Sequence, residues 1–482
     1  MEANERNLGL EGKRWIVVAA LLAATALAAA AARGKGSPPA PVGDGSRRFV
    51  ASPAKPVSFS ATLDRTAVLV GAAPEVRMEL VIGGQAEESR AAARVPTDLF
   101  VILDRSGSMS GEKIERARGA IRELVSRLGP EDRFALVTYS NDASLDIAPA
   151  PADDRARDAW LARVAAIAAD GGTNLSGGMD LALDTIERTR SPGRVPRAIL
   201  ISDGLANQGD ATPEGLLKRA GRAARGEYAL TTVGVGADFN EYLMAALADA
   251  GTGNYYYLRG SDDLSKVFAD EFEAARATVA SALEVKIAPS TGVQVVEAAG
   301  YPLERKGGEV VFRPGSLFAG QERRIWVTFA VPNQSAGDHP LGDITLAYRR
   351  AGELSTLRFA ETPCVASVQK ADDFYAQVDV AAWTRSVVVD DYNKMQQDVA
   401  REVKAGRRDA ALEEVRRFRA ENAPLNDRLQ SADVQKKLDS LGKLEADVVS
   451  VFDGDEQAAR QNELSKAQTA TSLDQRRVGA KR

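Results

Sequence analysis

The sequence predicts an α/β fold in which a doubly wound, mainly parallel sheet is inserted in a β-sandwich and followed by an α-helical hairpin. Three patterns along the 482-residue chain lead to this prediction. Strand-like and helix-like segments alternate over residues 96–279, as they do in parallel sheets covered by helices. Apolar residues recur at every second position in residues 57–95 and 280–365, and at three- and four-residue steps in 366–452.

The pattern of the N-terminal 56 residues indicates a segment that inserts the chain into a membrane or directs it across one. Residues 1–14 are polar, residues 15–32 are apolar and rich in alanine, and residues 33–56 are rich in Pro, Gly and Ser. This stretch of eighteen residues, apolar except for Thr25, is just long enough to span a bilayer, and its alanine-rich end resembles a signal-peptidase site. The first segment is thus a cytoplasmic or signal n-region, the second a cleaved signal peptide or an N-terminal transmembrane anchor, and the third a flexible linker.

Both interpretations of residues 15–32, a cleaved signal peptide and a transmembrane anchor, predict an exported protein. The rest of the chain would be periplasmic or extracytoplasmic, either anchored by this segment or released after cleavage. Contact with the membrane would then occur only through the N-terminal segment.

Short alternating segments occur on both sides of the α/β region. Residues 57–95 contain two of them and residues 280–365 contain five. Two or three strands do not form a stable sandwich alone. We therefore expect both regions to combine in one β-sandwich, with residues 96–279 inserted between its two parts.

The C-terminal region has helical spacing. Its apolar stripe is interrupted by a break at Gly406, and a kink follows at Asn422-Ala423-Pro424. Two antiparallel helices packed as a hairpin over residues 366–452 would bury both halves of the stripe. The tail, residues 453–482, is polar and lacks aromatic residues, so we expect it to be disordered.

Composition excludes several classes of function. The net charge is only −5 and acidic and basic residues are interspersed, which argues against a nucleic-acid partner. The single histidine, His339, leaves no zinc site built on several histidines and little room for a His-based catalytic triad. Neither a GxxxxGK(S/T) phosphate loop nor an HExxH zinc motif is present. We predict no catalytic residues, no organic cofactor and no enzyme activity.

The main functional signal lies in residues 98–109. The apolar run Leu99–Leu103, typical of a buried strand, ends at Asp104, and Ser106 and Ser108 follow at every second position. Open α/β sheets bind ligands beyond the carboxyl ends of their strands. Hard oxygen ligands that converge at such an edge suit a divalent cation such as Mg²⁺.

These residues resemble a known family. Asp104-Arg105-Ser106-Gly107-Ser108 matches the DxSxS signature of von Willebrand factor type A domains, and the resemblance covers roughly residues 96–275. The family also has a threonine and a second aspartate in two later loops, and Thr173 and Asp203 stand at matching places in the right order. The layout is similar to that of bacterial exported proteins with such a domain, often labelled calcium-activated chloride channel homologues or inter-alpha-trypsin inhibitor heavy chain-like.

The resemblance implies a metal-ion-dependent adhesion site made of Asp104, Ser106, Ser108, Thr173 and Asp203. In that family the three hydroxyls contact the cation directly, and the two carboxylates act mainly through water or in alternation. The expected ion is Mg²⁺, with Mn²⁺ or Ca²⁺ as alternatives. Mg²⁺ keeps an exchangeable position, so the implied partner is a protein that presents an Asp or Glu carboxylate. The opposing interpretation is that both aspartates merely accept backbone N–H bonds in tight loops.

Two functions follow from these observations. The favoured one is a metal-dependent protein-binding or adhesion module exposed outside the cytoplasmic membrane. The alternative is an envelope scaffold or assembly protein, in which the metal is structural and the C-terminal helices dock the partner. An enzyme that uses the metal as a Lewis acid is disfavoured, because no base or nucleophile beyond Asp and Ser stands near the motif.

Overall fold

A computed structural model of the protein describes part of the chain. The described residues are 47–51, 56–85, 96–191, 194–204, 206–235, 241–258, 264–350 and 352–453, with 457, 460, 461, 464, 465 and 468. The predicted segments 1–14 and 15–32, and most of the predicted linker 33–56, lie outside them. Within the described residues, no helix is long and apolar enough to cross a membrane.

Strands flank the α/β region on both sides along the chain. The first group is β1 (Arg48–Val50), β2 (Val57–Leu63), β3 (Ala67–Leu69) and β4 (Glu75–Gly84). The α/β region runs β5 (Thr97–Asp104), α1 (Glu112–Arg127), β6 (Arg133–Tyr139), β7 (Ala143–Pro151), α2 (Asp154–Ala165), α3 (Leu175–Thr189), β8 (Val195–Ser202), α4 (Pro213–Arg225), β9 (Ala229–Val235), α5 (Glu241–Ala250), β10 (Thr252–Leu258) and α6 (Leu264–Arg276).

A second group of strands and then helices complete the described chain. The strands are β11 (Thr278–Pro289), β12 (Gln294–Ala298), β13 (Glu304–Lys306), β14 (Glu309–Phe318), β15 (Glu322–Ala330), β16 (Gly337–Pro340), β17 (Gly342–Arg350), β18 (Glu353–Arg358) and β19 (Cys364–Val368). The helices are α7 (Ala371–Tyr375), α8 (Val380–Arg385), α9 (Tyr392–Lys404), α10 (Arg408–Leu429) and α11 (Ala432–Ser450), with a π-helical turn at Ser386–Asp391.

The α/β domain is organised around strand β5. The described strands form a sheet in the order β10-β9-β8-β5-β6-β7, in which every neighbouring pair is parallel except β6 with β7. Alternate residues of β5 supply the two cores of the domain. Leu99, Val101 and Leu103 pack with α1, α2 and α6, whereas Phe100 and Ile102 pack with α3, α4 and α5. An uninterrupted apolar run is therefore what this position requires, because helices cover both faces.

The α/β domain is inserted in a β-sandwich, as the sequence predicts. Strand β4 pairs antiparallel with β15, from Glu75 opposite Ala330 to Gly83 opposite Glu322. The described strands form two five-stranded sheets, β1-β2-β4-β15-β12 and β13-β14-β11-β17-β18, which share one apolar core. A small additional sheet, β16-β19-β3, lies beside them. The predicted fold class, a mainly parallel sheet inserted in a β-sandwich and followed by helices, is confirmed.

The C-terminal helices differ in number from the predicted hairpin. The described segment contains three long helices, α9, α10 and α11, because the apolar stripe that follows Gly406 is divided between α10 and α11. Pro424 lies inside α10, and the helix ends only at Leu429, where Gln430 adopts a left-handed conformation with φ of 57°. Ser431 then caps the next helix by accepting a hydrogen bond from Val434 N. The chain thus reverses at Gln430-Ser431, between α10 and α11, and not at Pro424.

The tail is described at a few positions only. Those beyond residue 453 are helical, Leu464 packs against the core of the C-terminal helices, and Ser465 is buried. Gln396 Nε2 also donates a hydrogen bond of 2.8 Å to Gln468 Oε1. At these positions the structure differs from the predicted disorder of residues 453–482, and the remainder of that range lies outside the described residues.

Candidate metal centre

Two strand ends bring the aspartates of the motif together. Strands β5 and β8 are adjacent and parallel, with Leu103 opposite Ile201. Asp104 ends β5, and Ser202 ends β8 just before Asp203. Both carboxylates therefore lie at the carboxyl edge of the sheet, where the sequence predicts a site.

The Asp104 carboxylate forms the floor of the site. It is fully buried, and its Oδ1 accepts a hydrogen bond of 2.8 Å from Ser106 N. Its Oδ2 accepts one of 2.8 Å from Ser202 Oγ. Burial raises the pKa of Asp104 above its ordinary value, and the nearby charge of Asp203 raises it further, although the bonds from Ser106 and Ser202 act in the opposite direction.

A chain of hydroxyls links the first loop to Asp203. Ser106 Oγ lies 3.1 Å from Ser108 Oγ, and Ser108 Oγ donates a hydrogen bond of 2.8 Å to Asp203 Oδ1. Ser106 and Asp203 are buried, whereas Ser108 is exposed. The polar cluster is therefore buried at Ser106 and Asp203 and accessible to solvent at Ser108.

The loop of Thr173 is attached to the first loop through the backbone. Gly107 N donates to Gly171 O at 3.0 Å, and Asp170 N donates to Arg105 O at 2.7 Å. These two bonds attach residues 170 and 171, which precede Thr173, to the DxSxS segment.

The Thr173 hydroxyl and the Ser108 hydroxyl flank Gly204. A Cβ atom placed on Gly204 would lie 3.5 Å from Ser108 Oγ and 3.9 Å from Thr173 Oγ1. The two hydroxyls therefore lie near the same position beside Gly204. Hydrogen bonds thus link four of the residues predicted from the sequence, Asp104, Ser106, Ser108 and Asp203, and the fifth, Thr173, lies beside them at Gly204.

Amide side chains brace the Thr173 loop from the outside. Thr173 N donates to Asn207 Oδ1 at 2.9 Å, and Asn207 N donates back to Thr173 O at 3.1 Å. Asn141 Oδ1 accepts from Gly172 N at 2.7 Å and from Gln208 Nε2 at 2.8 Å. The loop that carries the third hydroxyl is thereby fixed to the loops that follow β6 and β8.

Two residues of the site are missed by sequence reasoning. Ser202 contacts Asp104, and the only sequence cue is its place at the strand end. Lys113 Nζ forms an ion pair with Asp203 Oδ2 and donates to Ser108 O at 3.3 Å. A cue for Lys113 is its place in the first turn of α1, where a positive charge opposes the helix dipole.

The donor set of this cluster fits a hard divalent cation. Every candidate ligand is an oxygen, and a serine or threonine hydroxyl can donate its proton to a carboxylate while it offers a lone pair to a metal. Within the described residues, no group of three or more His, Cys, Asp or Glu could hold a metal ion, so hydroxyls would have to complete any site. The opposing interpretation, that the aspartates only accept backbone N–H bonds, accounts for one bond of Asp104, the one from Ser106 N. The two bonds that Asp203 accepts from described residues come from the side chains of Ser108 and Lys113.

Relatives share parts of this chain. The Escherichia coli K12 protein YfbK is 28% identical over 215 residues, which are 44% of this chain and 37% of YfbK. Human inter-alpha-trypsin inhibitor heavy chain H4 is 28% identical over 225 residues, 45% of this chain and 24% of that protein. The Synechocystis protein sll0103 is 23% identical over 349 residues, 70% of this chain and 81% of sll0103. The chain thus spans well under two thirds of the first two relatives.

Solved structures and a family model agree on the fold. A von Willebrand factor type A protein from Catenulispora acidiphila has a TM-score of 0.63 at 15% identity, over 86% of this chain and 96% of that one. The ArnB paralog VWA2 from Sulfolobus acidocaldarius has a TM-score of 0.52 at 16% identity, over 86% and 99%. The family model of the von Willebrand factor type A domain matches residues 98–270. Domains of this family typically mediate protein–protein interaction or adhesion, and residues 98–270 of this chain form a von Willebrand factor type A domain.

Proposed function

We propose that the protein is a metal-dependent protein-binding module. Ser106, Ser108 and Thr173 bind a divalent cation of the Mg²⁺ type through their hydroxyls, and Asp104 and Asp203 balance its charge. A partner protein fills the exchangeable position with an Asp or Glu carboxylate. The observation that carries this proposal is the hydrogen-bonded cluster of Asp104, Ser106, Ser108 and Asp203, which lies beside the Thr173 hydroxyl and reaches solvent at Ser108.

The chemistry of the ligands supports capture of an acidic group. Neutral hydroxyls donate less charge to a cation than direct carboxylates do, so the ion stays electrophilic toward a further anionic ligand. Ser108 is exposed while both aspartates are buried, so a partner approaches from the side of the hydroxyls. The buried carboxylates then serve the ion and do not repel the incoming group.

The proposed setting is outside the cytoplasmic membrane. Residues 15–32 would export the domain and either anchor it or be removed. The described C-terminal helices bury their apolar stripe, and Val389, at 36% exposure, is the large apolar side chain that they expose. This favours the metal site, and not the helices, as the surface that receives a partner.

Isothermal titration with Mg²⁺ tests the metal site. We expect one ion per chain for the natural protein, and an affinity loss of at least about tenfold for Asp104→Ala and for the Ser106→Ala/Ser108→Ala double variant. The matched control is Asp132→Asn. Asp132 is also buried, but it accepts bonds from Thr97 N (3.0 Å) and Gly129 N (2.8 Å) at the opposite end of β5. This control should lower the melting temperature and leave Mg²⁺ binding unchanged; equal affinities in all variants contradict the proposal.

Selection from a bead-displayed random peptide library tests the partner chemistry. The natural protein in Mg²⁺ should enrich peptides that contain Asp or Glu, and both EDTA and Asp104→Ala should remove this enrichment. The same peptides captured in EDTA as in Mg²⁺ would exclude a metal-mediated contact.

A further inference from the structure

Lys113 is a positive charge built into the candidate metal centre. Its Nζ pairs with Asp203 Oδ2 and also donates to Ser108 O at 3.3 Å. The Asp203 side chain is fully buried, whereas that of Lys113 is 31% exposed. The ammonium group therefore lies between two of the loops that would hold the cation.

The position of this lysine is unfavourable for its own helix. Lys113 follows Glu112 at the start of α1, and the acidic residues of the first turn, Glu112 and Glu115, match the positive end of the helix dipole. A lysine at this point is repelled by the same dipole. Its contacts with Asp203 and Ser108 offset that cost, so its location is explained by the site and not by the helix.

The charges of the site follow directly. Asp104 and Asp203 together carry two negative charges and balance one divalent cation. The Lys113 ammonium adds one positive charge, so the loaded site would be net positive. The same ammonium repels the cation and shares the Asp203 carboxylate with it.

We propose that Lys113 weakens the hold of the site on its divalent cation and makes the loaded site net positive toward an acidic partner. This inference rests on the proposed function, since it concerns the ion at that site. A purely positioning role for Lys113, in which it only orients Asp203, has the opposite consequence: removing it would then weaken metal binding. The sign of the change in Mg²⁺ affinity separates the two.

The experiment is Mg²⁺ titration calorimetry on the full chain and on Lys113→Met, Lys113→Gln and Lys113→Arg. We expect both neutral variants to bind Mg²⁺ at least about tenfold more tightly than the natural protein, and Lys113→Arg to stay within about threefold of it. Lys436→Met is the matched control, because Lys436 pairs with Asp433 on an exposed face of α11 and should leave the affinity unchanged.

Each outcome is decisive for one of the two proposals. If neither the natural protein nor any variant binds Mg²⁺, the proposed function fails. If the natural protein binds Mg²⁺ and the neutral variants bind it equally or more weakly, only the role of Lys113 is overturned. Loss of folded structure in both neutral variants, judged by circular dichroism, also overturns it, because the lysine would then be needed for the fold. Binding that is detectable only in the neutral variants supports it.

Discussion

The buried ion pair between Arg197 and Glu271 gives a sharp test of the cost of an unpaired charge where the α/β domain contacts the sandwich. Arg197 Nη1 lies 2.8 Å from Glu271 Oε2, and the two side chains are 2% and 1% exposed. Glu271 Oε1 also accepts bonds from Asn254 Nδ2 (2.7 Å) and Tyr256 OH (3.0 Å). The guanidinium group packs over the ring of Phe318, which belongs to β14 of the sandwich, at 5.1 Å from the ring centroid.

The substitution Glu271→Ala removes the acidic partner that Arg197 has within the described residues, and the guanidinium is cut off from water. Two further nitrogens of Arg197, Nε and Nη2, already have no hydrogen-bond partner within the described residues. Breaking a buried pair in this way costs about 3–5 kcal/mol. Replacement of both partners by apolar residues of similar size is often neutral, so Arg197→Met/Glu271→Leu should recover most of that loss.

Urea unfolding followed by circular dichroism measures both free energies of unfolding. The single variant should unfold at clearly lower urea, and the double variant should lie close to the natural protein. A loss below about 1 kcal/mol for Glu271→Ala, or equal losses in the single and double variants, would refute the assignment of the cost to an unpaired buried charge. Arg197 lies near the start of β8, away from the metal centre at its end, so Mg²⁺ affinity should be unchanged in both variants.

Three other predictions concern packing, domain contact and thiol chemistry. A Cβ on Gly178 would lie 2.6 Å from Cδ1 of the buried Tyr139, so Gly178→Ala should lower stability by about 1–3 kcal/mol. For Gly119→Ala the nearest neighbour of the new Cβ is 3.9 Å away, so this variant should raise stability by up to about 1 kcal/mol. Thermal melts that reverse this order contradict the packing of α3 on β6. Glu79 is buried between Arg324 (2.8 Å) and Arg385 (2.9 Å), so Glu79→Gln should lower stability by about 1.5–3 kcal/mol in urea unfolding, and no change would mean that this contact does not hold the C-terminal helices on the sandwich. Burial, helped by the charge of Asp338, raises the pKa of Cys364, so less thiolate forms at pH 8 and its reaction with a disulfide reagent should be slower than in the urea-unfolded chain; equal rates would contradict this.

The α/β domain could be predicted from sequence where local pattern and burial coincide. The Leu99–Leu103 run has one plausible role, a strand covered on both faces, and the oxygens of Asp104, Ser106 and Ser108 follow from its end. The sequence pattern does not indicate strand β7, because Pro149 and Pro151 weaken it. An edge strand tolerates proline, since one side of its backbone needs no partner.

The remaining differences arise from contacts between distant segments. Lys113, in the first turn of α1, contacts Asp203, and Ser202, at the end of β8, contacts Asp104; no spacing in the sequence indicates these partners. In the C-terminal helices, Pro424 suggests a kink, but Asn426 Oδ1 accepts a bond of 3.0 Å from Ser431 N and helps fix the turn at Gln430-Ser431. Local propensity thus indicated an interruption, and a side-chain bond decided where the chain turns.

The central claim is that one divalent cation binds where three loops meet. Crystals grown with MnCl₂, measured at the manganese absorption edge, test it most directly through the anomalous difference map. We expect a single strong peak roughly 2.0–2.6 Å from the hydroxyl oxygens of Ser106, Ser108 and Thr173. A map without a peak at this position, or with manganese bound only at other carboxylates, would contradict it.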